Sequence, residues 1–391
     1  MSVVTFDSLP IICERACAQF KTVFNSQPTV AVYAPGRVNL IGEHVDYNGG
    51  SVMPIAIPAY TVIVGAKKED TTECRIQSTN MPPSNNSFKV DLGCPISPIV
   101  EPPDQRWSNY IRGVMALFPG KYPAFDALVT SNVPLGGGLS SSASLEVAVA
   151  QLLLNLTPEN QQMSLRDQAL LCQEAEHKFA NVPCGIMDQF VVLHAKQGRA
   201  LLIDCENLTG QQIPFDNPDV VTVVTNSNVK HELAGSEYSK RRSDCFDAAK
   251  SLGKGSLRDV DLQLLQENEK NLDPIIFRRA RHVVTEIDRV SKAVDALQKS
   301  DYSRFGQFMN ESHFSLRDDY EVSCPELDQL VEIAQKCKGV FGSRMTGGGF
   351  GGCTVTLVKK EDVDELEHYT LGTPTFYICR PENGADRLPL P

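Results

Sequence analysis

Residues 134–144 read Pro-Leu-Gly-Gly-Gly-Leu-Ser-Ser-Ser-Ala-Ser and stand between a strand-like segment and a long apolar helix former. Three glycines let the backbone turn tightly and bring its N–H groups close to a ligand. The helix that opens near Ser141 aims unsatisfied N–H groups and the positive end of its dipole at the same point. A phosphate chain is the anion that suits such a place, and a serine hydroxyl there is of the right kind for Mg2+. A mobile Gly/Ser connection or a plain helix cap has the same composition, but regular structure flanks this loop too tightly for a linker. Two other phosphate motifs fail. The P-loop needs a lysine after its glycines, and none lies between 134 and 144. Residues 347–352, Gly-Gly-Gly-Phe-Gly-Gly, match G-x-G-x-x-G literally, yet a strand-like run follows where a dinucleotide fold requires a helix. They read instead as a close-approach loop between a helix and a strand, lying against a bound ligand.

A second dense cluster is Gly36-Arg37-Val38-Asn39-Leu40-Ile41-Gly42-Glu43-His44-Val45-Asp46-Tyr47-Asn48-Gly49-Gly50. Glu43, His44 and Asp46 fall within four positions, and each can accept a hydrogen bond from a hydroxyl group. Neither H-E-x-x-H nor an EF-hand loop is present, so a metal reading fails on spacing; an ordinary polar turn stays open. Further on, Asp188 is the one carboxylate in the uncharged run Pro183 to Phe190. An acid so placed is buried against a partner, catalytic, or a surface or capping aspartate. Just upstream, Glu174 and Glu176 lie on an expected helix, and Glu176 is within reach of a metal held by the serine loop.

Elements that position these residues can be read around them. Residues 8–24 read as an amphipathic helix, which places Cys13 and Cys17 on one face. Residues 29–33 read as a strand bounded by Pro28 and Pro35. Further strands are expected at 61–66, 74–78, 88–91, 124–130, 201–204, 220–225, 354–358 and 375–379. Helices are expected at 107–117, from about 141 through 154, at 164–180, and over most of 258–300. Ser323-Cys324-Pro325-Glu326 reads as a capping box opening a helix that reaches Cys337. The polar stretch 207–219 is the expected domain boundary. Strands and helices mix without regular alternation, which gives α+β in two domains.

Composition agrees. A chain of 391 residues exceeds one ordinary domain, and 42% hydrophobic with 22% charged residues is globular material. A net charge of −11 argues against a nucleic-acid surface. No basic start followed by an apolar run opens the chain, and the apolar stretch 52–66 is too short to span a bilayer; with Pro54 and Pro58 it reads as two buried strands. Twelve cysteines without C-x-x-C pairs read as reduced buried thiols of a cytoplasmic protein.

With these residues in view, the chain resembles the galactokinase family of the GHMP small-molecule kinases over nearly its whole length. The motifs that carry the likeness are 36–48, 134–144 and 345–352, with Ser236-Glu237-Tyr238 and 312–328 in support. The resemblance implies a two-domain GHMP fold with the active site in the cleft: an N-terminal domain over 1–212 and a C-terminal domain over 213–391, its last strand a candidate to pack on the N-terminal one. It implies transfer of the ATP γ-phosphate to O1 of α-D-galactose, with Mg2+, by a monomer or weak homodimer that engages neither nucleic acid nor membrane. It matches Asp188 to the family's general base, Arg37 to its partner, and Glu43, His44, Asp46, Gly185 and Tyr238 to sugar contacts. Gly136, Gly138, Ser140 and Ser141 match ATP contacts, and Ser142 and Glu176 match Mg2+ ligands of related kinases. Trp107 and Tyr110 are expected on the adenine side, a core tryptophan being the alternative. Val45, where many members carry threonine, is expected to alter packing only. Two other functions remain open: an N-acetylgalactosamine kinase, and a non-catalytic galactose/ATP sensor. Such sensors have lost a Ser-Ala pair from the serine loop, and Ser142-Ala143 is present here.

Overall fold

The computed structural model describes residues 4–100, 102–157, 163–230, 234–368 and 374–391; Lys230, Ala234, Gly235, Ser236, Glu367 and His368 are described by their backbone alone. The first three residues and the Ser236 side chain, both part of the sequence reading, lie outside that description.

Helix α1 (Leu9–Phe24) buries Ile12, Cys13, Ala16, Cys17 and Phe20, so the two thiols do share its inner face. It is followed by β1 (Val30–Asn39), β2 (Ser51–Val52), β3 (Pro54–Lys67), β4 (Glu73–Ser78) and β5 (Ser87–Asp91). Then come α2 (Ser108–Leu117), β6 (Phe125–Ser131), α3 (Ser141–Leu156), α4 (Leu165–Ala175), α5 (Met187–His194), β7 (Arg199–Asp204) and β8 (Thr209–Pro214). The remainder is β9 (Val220–Lys230), α6 (Ala234–Ser251), α7 (Leu262–Glu267), α8 (Pro274–Gln298), α9 (Tyr302–Asp318), α10 (Pro325–Lys336), β10 (Val340–Thr346), β11 (Gly351–Lys359), α11 (Val363–His368), β12 (Thr375–Cys379) and β13 (Asp386–Leu388). Three sheets result, in the orders β13-β1-β3-β6-β4-β5, β10-β11-β9-β12 and β2-β7-β8. Helix α1 covers one face of the six-stranded sheet through Ala31, Tyr33, Val62, Val64 and Leu128. Helix α3, apolar nearly all round, packs on the other. A second apolar cluster joins Val38, Leu40, Ile41, Met53 and Ile55 to Val355, Leu357, Phe305 and Phe308, so early and late parts of the chain share one core.

Several expectations need correcting. Strand β1 does not stop before Pro35; it continues through Arg37 to Asn39, with a register shift between Pro35 and Gly36. The run 52–66 does take in two strands, β2 ending at Val52 and β3 opening at Pro54, but the expected strand 61–66 is only the later part of β3. Pro54 is the first residue of β3, and Pro58 falls where Pro35 pairs Tyr60 but Gly36 pairs Ile57, so it lies inside the irregularity where no ladder bond is needed. The expected helix 164–180 ends at Ala175 and continues as one wide π-type turn, Glu176–Ala180. Helix α10 opens on Cys324 without a side-chain cap, because the Ser323 hydroxyl donates to Asp328 Oδ1 at 2.5 Å instead. The glycine run 347–352 links two strands, β10 and β11, rather than a helix and a strand.

Candidate active site

The serine loop and β1 are joined by backbone. Arg37 N–H donates to Leu139 C=O at 3.1 Å, and a Cβ on Gly36 would meet that same oxygen at 2.9 Å. Only glycine lets the strand come this close. Gly136 and Gly138 both adopt left-handed φ, 70° and 72°, and lie exposed, as does Leu135 between the loop and solvent. Ser140 is also left-handed at 59°, a conformation that costs a non-glycine residue about 1–3 kcal/mol. Its hydroxyl does not cap α3 but donates to Asp188 Oδ2 at 2.5 Å. The N–H groups of Ser141, Ser142 and Ala143 belong to the open first turn of α3.

Asp188 stands in the first turn of α5. Arg37 Nε donates to its Oδ1 at 2.7 Å and Arg37 Nη2 to its Oδ2 at 2.6 Å, while Arg37 Nη1 donates to Gly138 C=O at 2.5 Å. One guanidinium therefore ties the carboxylate to the serine loop. Burial works against the Arg37 charge, but Asp188, Glu43 and Asp46 outweigh it and raise its pKa further.

Beside this pair lies a cavity of about 190 Å³ lined by Arg37, Glu43, His44, Asp46, Gly185, Asp188 and Tyr238, and also by Glu176, Cys184 and Gly348. The sequence-selected sugar residues are thus brought together from three separate stretches. Glu43 Oε1 is already committed: Gly347 N–H donates to it at 2.7 Å, Thr346 Oγ1 lies at 2.9 Å, and Arg344, fully buried, at 3.5 Å. His44 Nδ1 pairs with Tyr47 OH at 2.7 Å, whose oxygen meets Tyr320 OH at 2.8 Å. Its Nε2 is buried beside the Gly348 backbone without a well-formed hydrogen bond among the described residues. Burial, then His282, pushes the His44 pKa down to about 3, so the ring is neutral at pH 7. Burial, then Asp188, raises Asp46 to about 7. A Cβ on Gly185 would stand 1.7 Å from Asp46 Oδ2, so glycine is required there. Tyr238 packs on His44 and Tyr47 with ring centroids 5.5 and 5.6 Å away. Val45 is fully buried.

Glu176 begins the wide turn after α4. Burial, then Asp188, raises it to about 7, while the Cys184 thiol, the Ser142 hydroxyl and the Gln189 amide pull the other way. A hydroxyl and a carboxylate in this pairing form the oxygen donor set a hard cation takes. The upstream Glu174 points away and pairs with Lys178 at 2.5 Å. Trp107 packs edge-on against Phe88, and its Nε1 donates to Asn85 C=O at 3.1 Å. Tyr110 faces Glu176, Glu146 and Cys184.

Some members of the site are absent from the sequence reading. Glu146 is fully buried on α3, with Gln189 Nε2 donating to its Oε2 at 3.1 Å and to Glu176 Oε2 at 2.7 Å. Burial, then Glu176, pushes Glu146 well above the usual carboxylate range. A lone acid in the apolar run 145–154 was the available signal. Arg344 and Thr346 flank Met345 at the start of the 345–352 motif, and only the folded chain brings them against the Glu43 carboxylate.

Comparison with known proteins agrees with this arrangement. The galactokinase galactose-binding signature matches residues 18–67, the GHMP kinases N-terminal domain residues 109–196, and the GHMP kinases C-terminal domain residues 293–369. The chain is 49% identical to a Homo sapiens galactokinase, over 94% of this chain and 95% of that protein. It is 43% identical to the galactokinase of Mannheimia succiniciproducens, over 93% and 96%. The crystal structure of Lactococcus lactis galactokinase complexed with galactose superposes with a TM-score of 0.89 at 32% identity, covering 96% of this chain and 99% of that one. A mevalonate kinase from Methanococcus jannaschii, at 20% identity and a TM-score of 0.63 over 90% of this chain and 98% of that one, shares the fold.

Proposed function

The chain belongs to the galactokinase family of the GHMP kinases, and we propose that its cleft phosphorylates α-D-galactose at O1, with Asp188 as the base that takes the O1 proton. The enzyme is an ATP-dependent kinase whose products are galactose 1-phosphate and ADP. Phosphoryl transfer is chiefly positioning and charge stabilisation. The observation that carries the reading is the place of Asp188, gripped by Arg37 and Ser140 at the seam between the serine loop and the polar cavity.

Glu43, His44, Asp46, Gly185 and Tyr238 bind the sugar hydroxyls in this reading. Neutral His44 brings a buried ring nitrogen with no well-formed hydrogen bond, and Asp46 brings a carboxyl group with an oxygen that can accept from a hydroxyl. Gly136, Gly138, Ser140 and Ser141 receive the phosphates, with Trp107 and Tyr110 toward the adenine. Arg37 neutralises charge that develops on the transferred group. Ser142 and Glu176 are the residues that would hold Mg2+, which shields phosphate charge when bound. The 12 cysteines are all free thiols, which supports a cytoplasmic setting, and no described helix is long and apolar enough to cross a membrane.

A coupled ADP-release assay with galactose, and in parallel N-acetylgalactosamine, tests the function. Galactose-dependent ADP release is expected. Equal or better use of the acetylated sugar overturns the acceptor, and galactose binding without turnover leaves a sensor.

A further inference from the structure

Two residues on α8, one helical turn apart, grip the backbone of the sugar-binding segment from behind. Glu286 is fully buried and its Oε1 accepts the Gly42 N–H at 2.9 Å. His282, also fully buried, has its Nε2 3.1 Å from the Glu43 carbonyl oxygen. A carbonyl only accepts, so Nε2 carries the proton, and the Ser315 hydroxyl donates to Nδ1 at 2.9 Å. Burial, working first, pushes His282 down to about 4, which keeps that neutral tautomer at pH 7. Glu286 has its own support: the Ser312 hydroxyl donates to Oε1 at 2.6 Å and Arg289 pairs with Oε2. Burial alone raises this carboxyl, but Arg289, His282, Arg344 and Ser312 outweigh it and hold it at about 2. The spacing on the two helices is matched, 282 and 286 on α8 backed by 315 and 312 on α9.

The grip falls where the backbone is least at ease. Gly42 has φ 98° and His44 has φ 62°, both left-handed. A histidine stays in that region only when its surroundings over-determine it. The gripped peptide groups lie on either side of Gly42–Glu43, and the second is the peptide that leads into His44. On the opposite side, the Glu43 carboxylate is held by Gly347 and Thr346. The segment is therefore fixed by its main chain to α8 and by its side chain to the β10–β11 hairpin.

We propose that His282 and Glu286 are positioning residues for the sugar pocket, holding the Gly42–His44 backbone so that His44 and Asp46 face the acceptor. Neither lines the cavity. The inference rests on the functional reading above and extends it to residues some 240 positions further along the chain. A misplacement of 1 Å in such a shell costs about 10²-fold.

The test is steady-state kinetics on His282→Ala, His282→Gln and Ser315→Ala, with galactose and ATP varied separately and galactose binding measured by calorimetry. For His282→Ala, the galactose KM is expected to rise at least about tenfold while the ATP KM changes less than about twofold. The glutamine amide nitrogen reaches the place of Nε2, so His282→Gln is expected to recover most of the loss. A galactose KM that is unchanged, or that rises in step with the ATP KM, overturns the proposal, as does failure of His282→Gln to recover. If His282→Ala yields no folded protein, Ser315→Ala decides: it removes only the outer support, and a selective, smaller rise in galactose KM is expected, none being the overturning result. Wild-type protein in the same assay separates the two levels. An active wild type with indifferent variants sinks the clamp alone, and a wild type that neither binds nor phosphorylates galactose sinks the functional reading and the clamp with it.

Discussion

Asp188 meets Arg37 through both carboxylate oxygens, across a separation of 151 residues in the chain. The fork-to-fork geometry fixes the direction in which the carboxylate faces as well as its neighbour's charge. The Asp188 side chain keeps 24% of its surface exposed, toward the cavity, while that of Arg37 keeps 7%. Asp188→Asn preserves the shape but removes the proton acceptor. It is expected to bind galactose within a few-fold of wild type and to lose about 10²–10⁴-fold in kcat. Calorimetry and the ADP-release assay check this together, and a near wild-type rate removes Asp188 as the base.

Arg37→Lys keeps a positive charge and loses the fork. A lysine cannot bond both Asp188 oxygens and the Gly138 carbonyl at once. The expected fall in kcat/KM is about 10²-fold or more. An equal rate would mean that charge alone suffices.

Gly185→Ala tests the sugar pocket without touching the serine loop. The added methyl would fall 1.7 Å from Asp46 Oδ2, so Asp46 must move. The galactose KM is expected to rise at least about tenfold, with the ATP KM little changed.

Asp46 also predicts a pH dependence of stability. Its carboxyl is raised to about 7 in the folded protein against an ordinary 3.8, burial being the main cause. The folded state therefore holds a proton that the unfolded chain releases, and this stabilising contribution is complete below pH 3.8 and lost as pH rises toward 7. Asp46→Asn, always neutral, should raise the melting temperature of the ligand-free protein more at pH 8 than at pH 4. Equal shifts at both pH values would show that burial does not act on this group.

Glu176→Gln bears on the cation. Losing the charge beside Ser142 is expected to raise the Mg2+ concentration for half-maximal rate at least about tenfold while leaving galactose binding intact. An unchanged Mg2+ requirement would place the cation elsewhere.

The parts of the site legible in the sequence are those written in one continuous stretch. The serine loop announces itself because glycines, hydroxyls and a helix start sit within eleven residues, 134–144, and the Glu43-His44-Asp46 cluster does so by density. Asp188 was visible as an isolated acid, but its grip by Arg37 requires β1 to run past Pro35, and the proline suggested the strand had ended. Pro58 likewise leaves β3 unbroken, since a proline inside an irregularity interrupts no ladder bond. His282, Glu286 and Arg344 gave no local signal at all. Each is an ordinary charged or polar residue on an ordinary element, and acquires its role only when the chain folds back about 240 to 300 residues.

Strand β1 pairs with β3 on one side and with β13 on the other, Ala31 opposite Leu388 and Tyr33 opposite Asp386. The second partner leaves the ribosome about 320 residues after the first, which at ordinary rates of synthesis is a wait of roughly 15–65 s. For that interval the edge of β1 from Ala31 to Tyr33 shows newly made chains a bare row of N–H and C=O groups, open to any other extended segment. The nascent chain is thus open to mispairing along the strand that also carries Arg37, and crowded expression should trap it there first.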